Sequence, residues 1–220
     1  MLEKLPDAVG HALRDQRAGL DHIAFHQVAP RAGMGALSVT SSAFVDHAPL
    51  APLYTADGDG VSPPLQWSGV PAGADSVVLI VEDADSPTPR PLVHAIAVGI
   101  PADRTTLATG ALNTDEGQAD AAIRLGRNSY LQHGWLPPDP PPGHGTHRYA
   151  FQVFALAAGA VLPDTPGRDA LAEAIEAHAI ASGCLIGTYA RPDGSVKASD
   201  GAAVAVPVAG APDAGGLGLA

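Results

Sequence analysis

Apolar and polar positions alternate most clearly in the middle of the chain. Two β-branched runs, Val77 to Val81 and Leu92 to Ile100, flank a segment with three acids and three prolines. Branched side chains suit a pleated, buried surface, so both runs are expected to be core strands. Pro87, Pro89 and Pro91 cannot donate to a sheet ladder, so the piece between should be an ordered loop. Alternate residues of an extended chain share a face. On that spacing Val81 and Asp83 point one way, with Asp85 in the same parity, while Leu92, His94, Ile96 and Val98 share a face of the second run. Two carboxylates and an imidazole would then reach one rim from neighbouring strand ends. The structural alternative stands beside this: acid–proline pairs are common turn chemistry, and a strand histidine is often a packed, hydrogen-bonded residue.

A third alternating run, His147 to Leu156, sets His147, Tyr149, Phe151 and Val153 on one face. Arg148, Ala150, Gln152 and Phe154 take the other. Just ahead, the glycines of Gly143-His144-Gly145-Thr146 allow successive amides to converge on an anion as a nest. Leu37 to Thr40, Phe44 to Val45 and Leu185 to Tyr189 are shorter strand candidates. Helical spacing appears twice. Leu5, Val9, Ala12 and Leu13 predict a short amphipathic helix before Gly19. Leu171, Ile175, His178 and Ala179 predict a longer one over Arg168 to Ser182, with Gly183 as its left-handed C-cap. If the first helix ran on through Asp21 to Gln27, His22 and His26 would stand one turn apart. Without an acidic or cysteine co-ligand nearby, they read as surface histidines.

The remaining segments are punctuation. Asp57-Gly58-Asp59-Gly60 is turn material that lacks the further oxygen ligands of a calcium loop. Trp67 reads as a core anchor whose indole N–H needs a partner. Pro101 to Leu125 is loop-like, and the prolines from Pro137 to Pro142 form a stiff, extended wall. The organisation expected is a helical appendage over 1–35, a β domain over 36–191, and a disordered Ala/Gly/Pro tail over 192–220.

Charge narrows the partners. Twelve Lys and Arg against 23 Asp and Glu give a net charge of −11, which repels phosphate backbones and anionic headgroups at long range. Nucleic acid and stable membrane insertion are therefore not expected, and no apolar run is long enough to cross a bilayer. The N-terminus lacks the apolar core of a signal peptide, and the expected location is cytoplasmic. The single cysteine, Cys184, excludes an internal disulfide and a thiolate zinc cluster; it reads as a packed small hydrophobe.

No Gly-x-Ser-x-Gly elbow, His-Glu-x-x-His helix or phosphate loop is present. The remaining candidates, Asp83, Asp85, His94, His147, Gly143 and Gly145, allow three constructions. They could line a small anion pocket, chelate zinc or iron as a hydrolase, or form a satisfied polar cluster. In the first case two bare carboxylates would repel the anion, so at least one must be paired, protonated or turned aside.

Three motifs in order then resemble one family. Ser62-Pro63-Pro64-Leu65-x-Trp67, Glu82-Asp83-Ala84-Asp85-Ser86-Pro87 with His94, and Pro141-Pro142-Gly143-x-Gly145-x-His147-Arg148-Tyr149 are similar to the phosphatidylethanolamine-binding protein family. The nearest likeness is to its bacterial Raf-kinase-inhibitor-like branch, over residues 37–191. The resemblance implies a mostly β, antiparallel fold with a large central sheet, a smaller sheet and a C-terminal helix. It also implies a rim pocket for phosphate-like groups, made of Asp83, Asp85, Pro87, His94, Gly143, Gly145 and His147. Arg148 is expected to be structural, paired with an acid.

The chain departs from the family's pattern where Asp-Pro-Asp-Ala-Pro becomes Asp83-Ala84-Asp85-Ser86-Pro87, a less rigid turn. Ser86-Pro87 and Arg90-Pro91 are candidate cis bonds. The short connection from Pro87 to His94 has no tyrosine, unlike eukaryotic members, which argues against recognition of their kinase partners. The resulting expectation is a non-enzymatic module for a small phosphorylated or carboxylated ligand, with no cofactor and no metal. The alternatives are a hydrolase or metal enzyme on the same residues, and a protease or kinase inhibitor. The stripe from Leu5 to Leu13, with no partner in the family domain, predicts a homodimer.

Overall fold

Four long strands carry the molecule: β5 (Ala74–Asp83), β6 (Leu92–Pro101), β9 (His147–Ala157) and β10 (Ala179–Tyr189). The computed structural model describes residues 6–28, 33–114 and 123–191, so Leu5 and the expected tail lie outside the described residues. β5 sits between β6 and β9, and β10 flanks β9, all antiparallel. Short strands extend this sheet. β8 (Arg124–Leu125) pairs with β6, while β1 (Gly35–Ala36) and β3 (Ala48–Pro49) join β10 in parallel. The seven-stranded sheet is therefore mixed at one edge rather than wholly antiparallel. β2 (Ser38–Thr40), β4 (Leu65–Ser68) and β7 (Thr106–Leu107) form a separate three-stranded sheet.

The main core fills the space between the two sheets. Val77, Leu79 and Val81 of β5 meet Phe151 and Val153 of β9, with Trp67 and Leu107 from the small sheet. Trp67 is only 1 % exposed, and its indole nitrogen has no partner among the described residues. The opposite face of the large sheet, with Val78, Ile80 and Phe154, lies under Leu171 and Ile175 of α3 (Arg168–His178). Burying each such side chain contributes about 1.5–3 kcal/mol, so the two faces dominate the fold's stability.

Strict alternation between β5 and β6 fails at two places, between Val77 and Leu79 and between Val81 and Glu82, and the second shapes the site. Val81 pairs with Ala95, but Glu82 pairs with Val93, so His94 is an extra residue in β6, a β-bulge. Ile96 and Val98 accordingly face α3 with Val93, whereas Ala95 and Ala97 face the inter-sheet core. The expectation that His94, Ile96 and Val98 share a face is overturned, because the bulge shifts the parity between them.

Other expectations are corrected as well. The C-terminal helix ends at His178, not Ser182, and Ala179 is already extended. Residues 179–184 join the last strand, which spans eleven residues instead of the five expected, because pairing with β9 along its length outweighs local preference. Gly183 is no helix cap. A Cβ there would lie 2.3 Å from the Leu37 carbonyl oxygen, so the residue permits close backbone approach. Phe44 and Val45 form no strand, although Phe44 packs on Phe151 with ring centroids 5.3 Å apart. Neither Ser86-Pro87 nor Arg90-Pro91 is cis.

The N-terminal segment folds back over the rim. It contains α1 (Asp7–Leu13), a 3-10 turn at Leu20–His22, and the single turn α2 (Ala24–Gln27). Ile23 is extended between the last two, so His22 and His26 do not share a helix. The Ala18 and Gly19 amides donate to the Ser86 and Ala84 carbonyls at 3.1 and 2.7 Å. The Ala24 amide donates to Glu82 Oε2 at 2.7 Å. Glu82, fully buried, also accepts from Gln152 Nε2 and Arg168 Nε, at 2.9 and 2.6 Å. The buried residue of α1 is Gly10, where a Cβ would lie 1.8 Å from the Pro142 oxygen. Val9, by contrast, is 37 % exposed.

Candidate functional site

Asp83 ends β5 on the face that Val81 shares with the main core, and His147 opens the neighbouring β9. Their side chains meet directly, His147 Nδ1 to Asp83 Oδ2 at 2.7 Å. The bulge brings His94 to the same side. Its Nδ1 lies 2.6 Å from the Leu136 carbonyl oxygen, which can only accept, so Nδ1 is the donor. Burial, opposed by the Asp83 carboxylate, keeps the His94 imidazole below its ordinary pKa, which favours the neutral ring. Nε2 then carries a lone pair and has no partner among the described residues. The ring stands edge-on to Tyr149, centroids 5.1 Å apart at 86°. Tyr149 is wholly buried, and that burial raises its phenol pKa well above the ordinary value. Its hydroxyl is likewise unpartnered among the described residues.

Asp83, His94 and His147 border a cavity of about 300 Å³, with Tyr149 packed behind His94. Asp83, His94, His147, Asp139 and Tyr130 supply its charged or titratable lining, while Pro87, Leu92, Pro137, Pro140 and Pro141 contribute apolar walls. Each acid at this rim meets a counter-group. Asp139 meets Arg191 Nη1 at 2.8 Å. That guanidinium, with no exposed side-chain surface, also holds Asp57 at 2.8 Å and the Pro140 carbonyl at 3.1 Å.

Asp85 is turned aside. Arg148 grips it through Nε and Nη2 at 2.7 and 2.6 Å, and Arg17 Nη1 approaches within 3.0 Å. Burial alone would raise the Asp85 carboxyl; the Arg148 and Arg17 guanidinium groups outweigh it and hold the pKa below the ordinary value. Arg148 is thus paired with an acid on the face opposite His147, as its parity indicated.

The structure brings Asp83, Pro87, His94 and His147 to the cavity; Asp85, Gly143 and Gly145 are not among its lining residues. Gly143 and Gly145 adopt positive φ, +77° and +95°, but the N-terminal segment packs against them. The Asp7 carbonyl and the His11 ring face Gly143, while Arg17 donates to the Thr146 and His144 carbonyls at 2.8 and 2.9 Å. Sequence reasoning missed Asp139, Arg191, His144 and Arg17. For the first two a signal existed: an acid inside an apolar proline run and an arginine directly after the last strand need partners when buried.

A larger open cleft of about 730 Å³ adjoins the cavity, sharing Leu92 and Tyr130 with it. It holds Arg90, Arg127 and Arg168, of which Arg90 pairs with Asp169 and Arg168 with Glu82. Among the described residues no group of three or more His, Cys, Asp or Glu side chains is placed to hold a metal ion. No helix among them is long and apolar enough to cross a membrane.

Comparison with known proteins identifies relatives of the chain and of its fold. The family model described as phosphatidylethanolamine-binding protein matches residues 40–190. A UPF0098 protein of Methanothermobacter thermautotrophicus is 34% identical over 155 residues, covering 70% of this chain and 99% of its own. One from Chlamydia trachomatis is 39% identical over 155 residues, 70% of this chain and 98% of its own. Among solved structures, the putative phosphatidylethanolamine-binding protein homolog CT736 from Chlamydia trachomatis has a TM-score of 0.63 at 34% identity, covering 71% of this chain and 99% of that one. E. coli YbcL, described as a new member of the mammalian family, has a TM-score of 0.67 at 29% identity with the same coverage.

Proposed function

Because the chain belongs to the phosphatidylethanolamine-binding protein family, we propose that its cavity binds a small phosphorylated or carboxylated group without turning it over. One observation carries this reading: every acid lining the rim meets a donor, although Asp139 shares Arg191 with Asp57. Bare carboxylates facing an anion would cost several kcal/mol in a water-poor cavity. Here Asp83 meets His147, Asp139 meets Arg191, and Asp85 faces Arg148 and Arg17. His94 Nε2, unpartnered among the described residues and an acceptor in the neutral ring, adds support for a ligand that also carries a donor, such as a phosphate hydroxyl or an ammonium, since buried polar atoms ordinarily have partners. The arginines of the adjoining cleft favour an anionic approach locally, within a chain whose overall charge opposes it.

Titration with inorganic phosphate and with O-phosphoethanolamine, followed by histidine NMR, tests the proposal. His94 and His147 resonances shift together, and Asp83→Ala weakens the response about tenfold, the scale of one charge-assisted hydrogen bond. Resonances that stay fixed at millimolar ligand would remove the reading. Stoichiometric metal that drives ester hydrolysis would instead assign the same residues to a hydrolase. We place the protein in the cytoplasm as a homodimer joined through the exposed Val9 edge of α1, and sedimentation as a monomer would remove the dimer.

A further inference from the structure

Behind Asp83 a line of contacts leaves the cavity and ends in the N-terminal segment. Asp83 Oδ2 meets His147 Nδ1 at 2.7 Å, and His147 Nε2 meets His144 Nδ1 at 2.7 Å. His144 Nε2 then meets the Leu13 carbonyl oxygen at 2.8 Å. Both imidazoles are buried. The rings are inclined at 56° with centroids 4.7 Å apart, and the His147 ring stacks on Tyr149 at 6.3 Å.

Counting protons along this line constrains the charge. A carbonyl oxygen only accepts, so His144 Nε2 must carry a proton. The His144–His147 and His147–Asp83 contacts each require one more. Three protons are therefore shared by two imidazoles and a carboxylate, whereas two neutral rings and an ionised acid own two. The third makes the trio neutral. His144 is a poor seat for it, because burial, reinforced by His147 and Arg17, holds its pKa below the ordinary value. The extra proton belongs to the His147–Asp83 pair.

We propose that His144 is a positioning residue for the cavity. Anchored by the Leu13 carbonyl with its Nδ1 lone pair turned to His147, it keeps the additional proton on the His147–Asp83 pair and removes one negative charge from the cavity floor. The inference rests on the oxyanion reading for its purpose, though not for its geometry. The groups facing His147 are Asp83, His144, Tyr149 and, across the rim, His94; of these only His144 meets Nε2. Leu13 and α1 lie outside residues 40–190, so this control is an addition to the family domain.

Imidazole ¹⁵N and Asp83 carboxyl ¹³C NMR on the intact protein near pH 7 reads the proton count directly. The expected result is one proton on His144 and two shared by His147 and Asp83. A neutral His147 beside an ionised Asp83 in the wild-type protein overturns the proposal without any mutation. His144→Phe, which keeps an aromatic ring but no acceptor, should release the extra proton and weaken inorganic phosphate binding about tenfold. His144→Asn, whose Oδ1 can stand in for Nδ1, should restore both. Unchanged proton count and phosphate affinity in folded His144→Phe also overturns it. If phosphate binds neither wild type nor variants, the functional reading fails while the NMR count still decides the wiring.

Discussion

Arg191 holds three things with one guanidinium: Asp57, Asp139 and the Pro140 carbonyl. Removing one partner of a buried ion pair leaves the others uncompensated, so Arg191→Ala should cost about 3–5 kcal/mol. It should also weaken phosphate binding, because Asp139 would lose its guanidinium and turn the cavity wall more negative; urea melts with a phosphate titration check both effects. His94 and His144 act through pH. Both have pKa values lowered in the folded protein from the ordinary 6.5, with burial as the largest cause. Between the lowered and the ordinary value the unfolded chain binds more protons, so their contribution is complete above about pH 6.5 and is lost as pH falls below it. Melting temperature measured from pH 8 to 5 should decline below 6.5, with a shallower decline in His94→Gln; parallel curves for the two proteins would contradict the assignment.

Elements follow the sequence where one physical cue dominates, and depart from it where pairing decides. The β-branched centres of β5 and β6 were legible because little else suits Val-Val-Leu-Ile-Val. His147 and Asp83 were legible as strand-end residues for the same reason. The His94 bulge was not, because one extra residue leaves no mark on an apolar pattern; only the register with β5 exposes it. Nor was the start of β10, since Ala179 to Ser182 continues the helical stripe of α3 and long-range pairing with β9 overrides it. Gly183 distinguishes the two descriptions. As a helix cap it would tolerate Asn; against the Leu37 carbonyl it should tolerate neither Asn nor Ala, and Gly183→Ala should lose about 1–3 kcal/mol or more by thermal unfolding. Gly10→Ala makes the corresponding test at α1, where the new methyl would strike the Pro142 oxygen. Hydrogen exchange at the Ala18 and Gly19 amides should accelerate as the segment lifts; unchanged protection would mean that the helix is held elsewhere.

At the scale of the whole molecule, a net charge of −11 surrounds a cavity read as anion-binding. Raising ionic strength from about 0.01 to 0.15 M shortens the Debye length from about 30 to 8 Å, which screens the global repulsion more than contacts inside the cavity. Phosphate affinity should therefore rise with a weakly competing salt, and a steady fall would indicate a cationic surface site instead. The cavity's closure also has an order in time. Asp57 and Arg191 are 134 residues apart, and Asp139 lies between them. A nascent chain that has emerged only as far as the proline run presents both acids without the cation that joins them. Contacts of such separation form late, so the binding wall should set only after Arg191 clears the ribosome, long after β5 and β6 are able to pair.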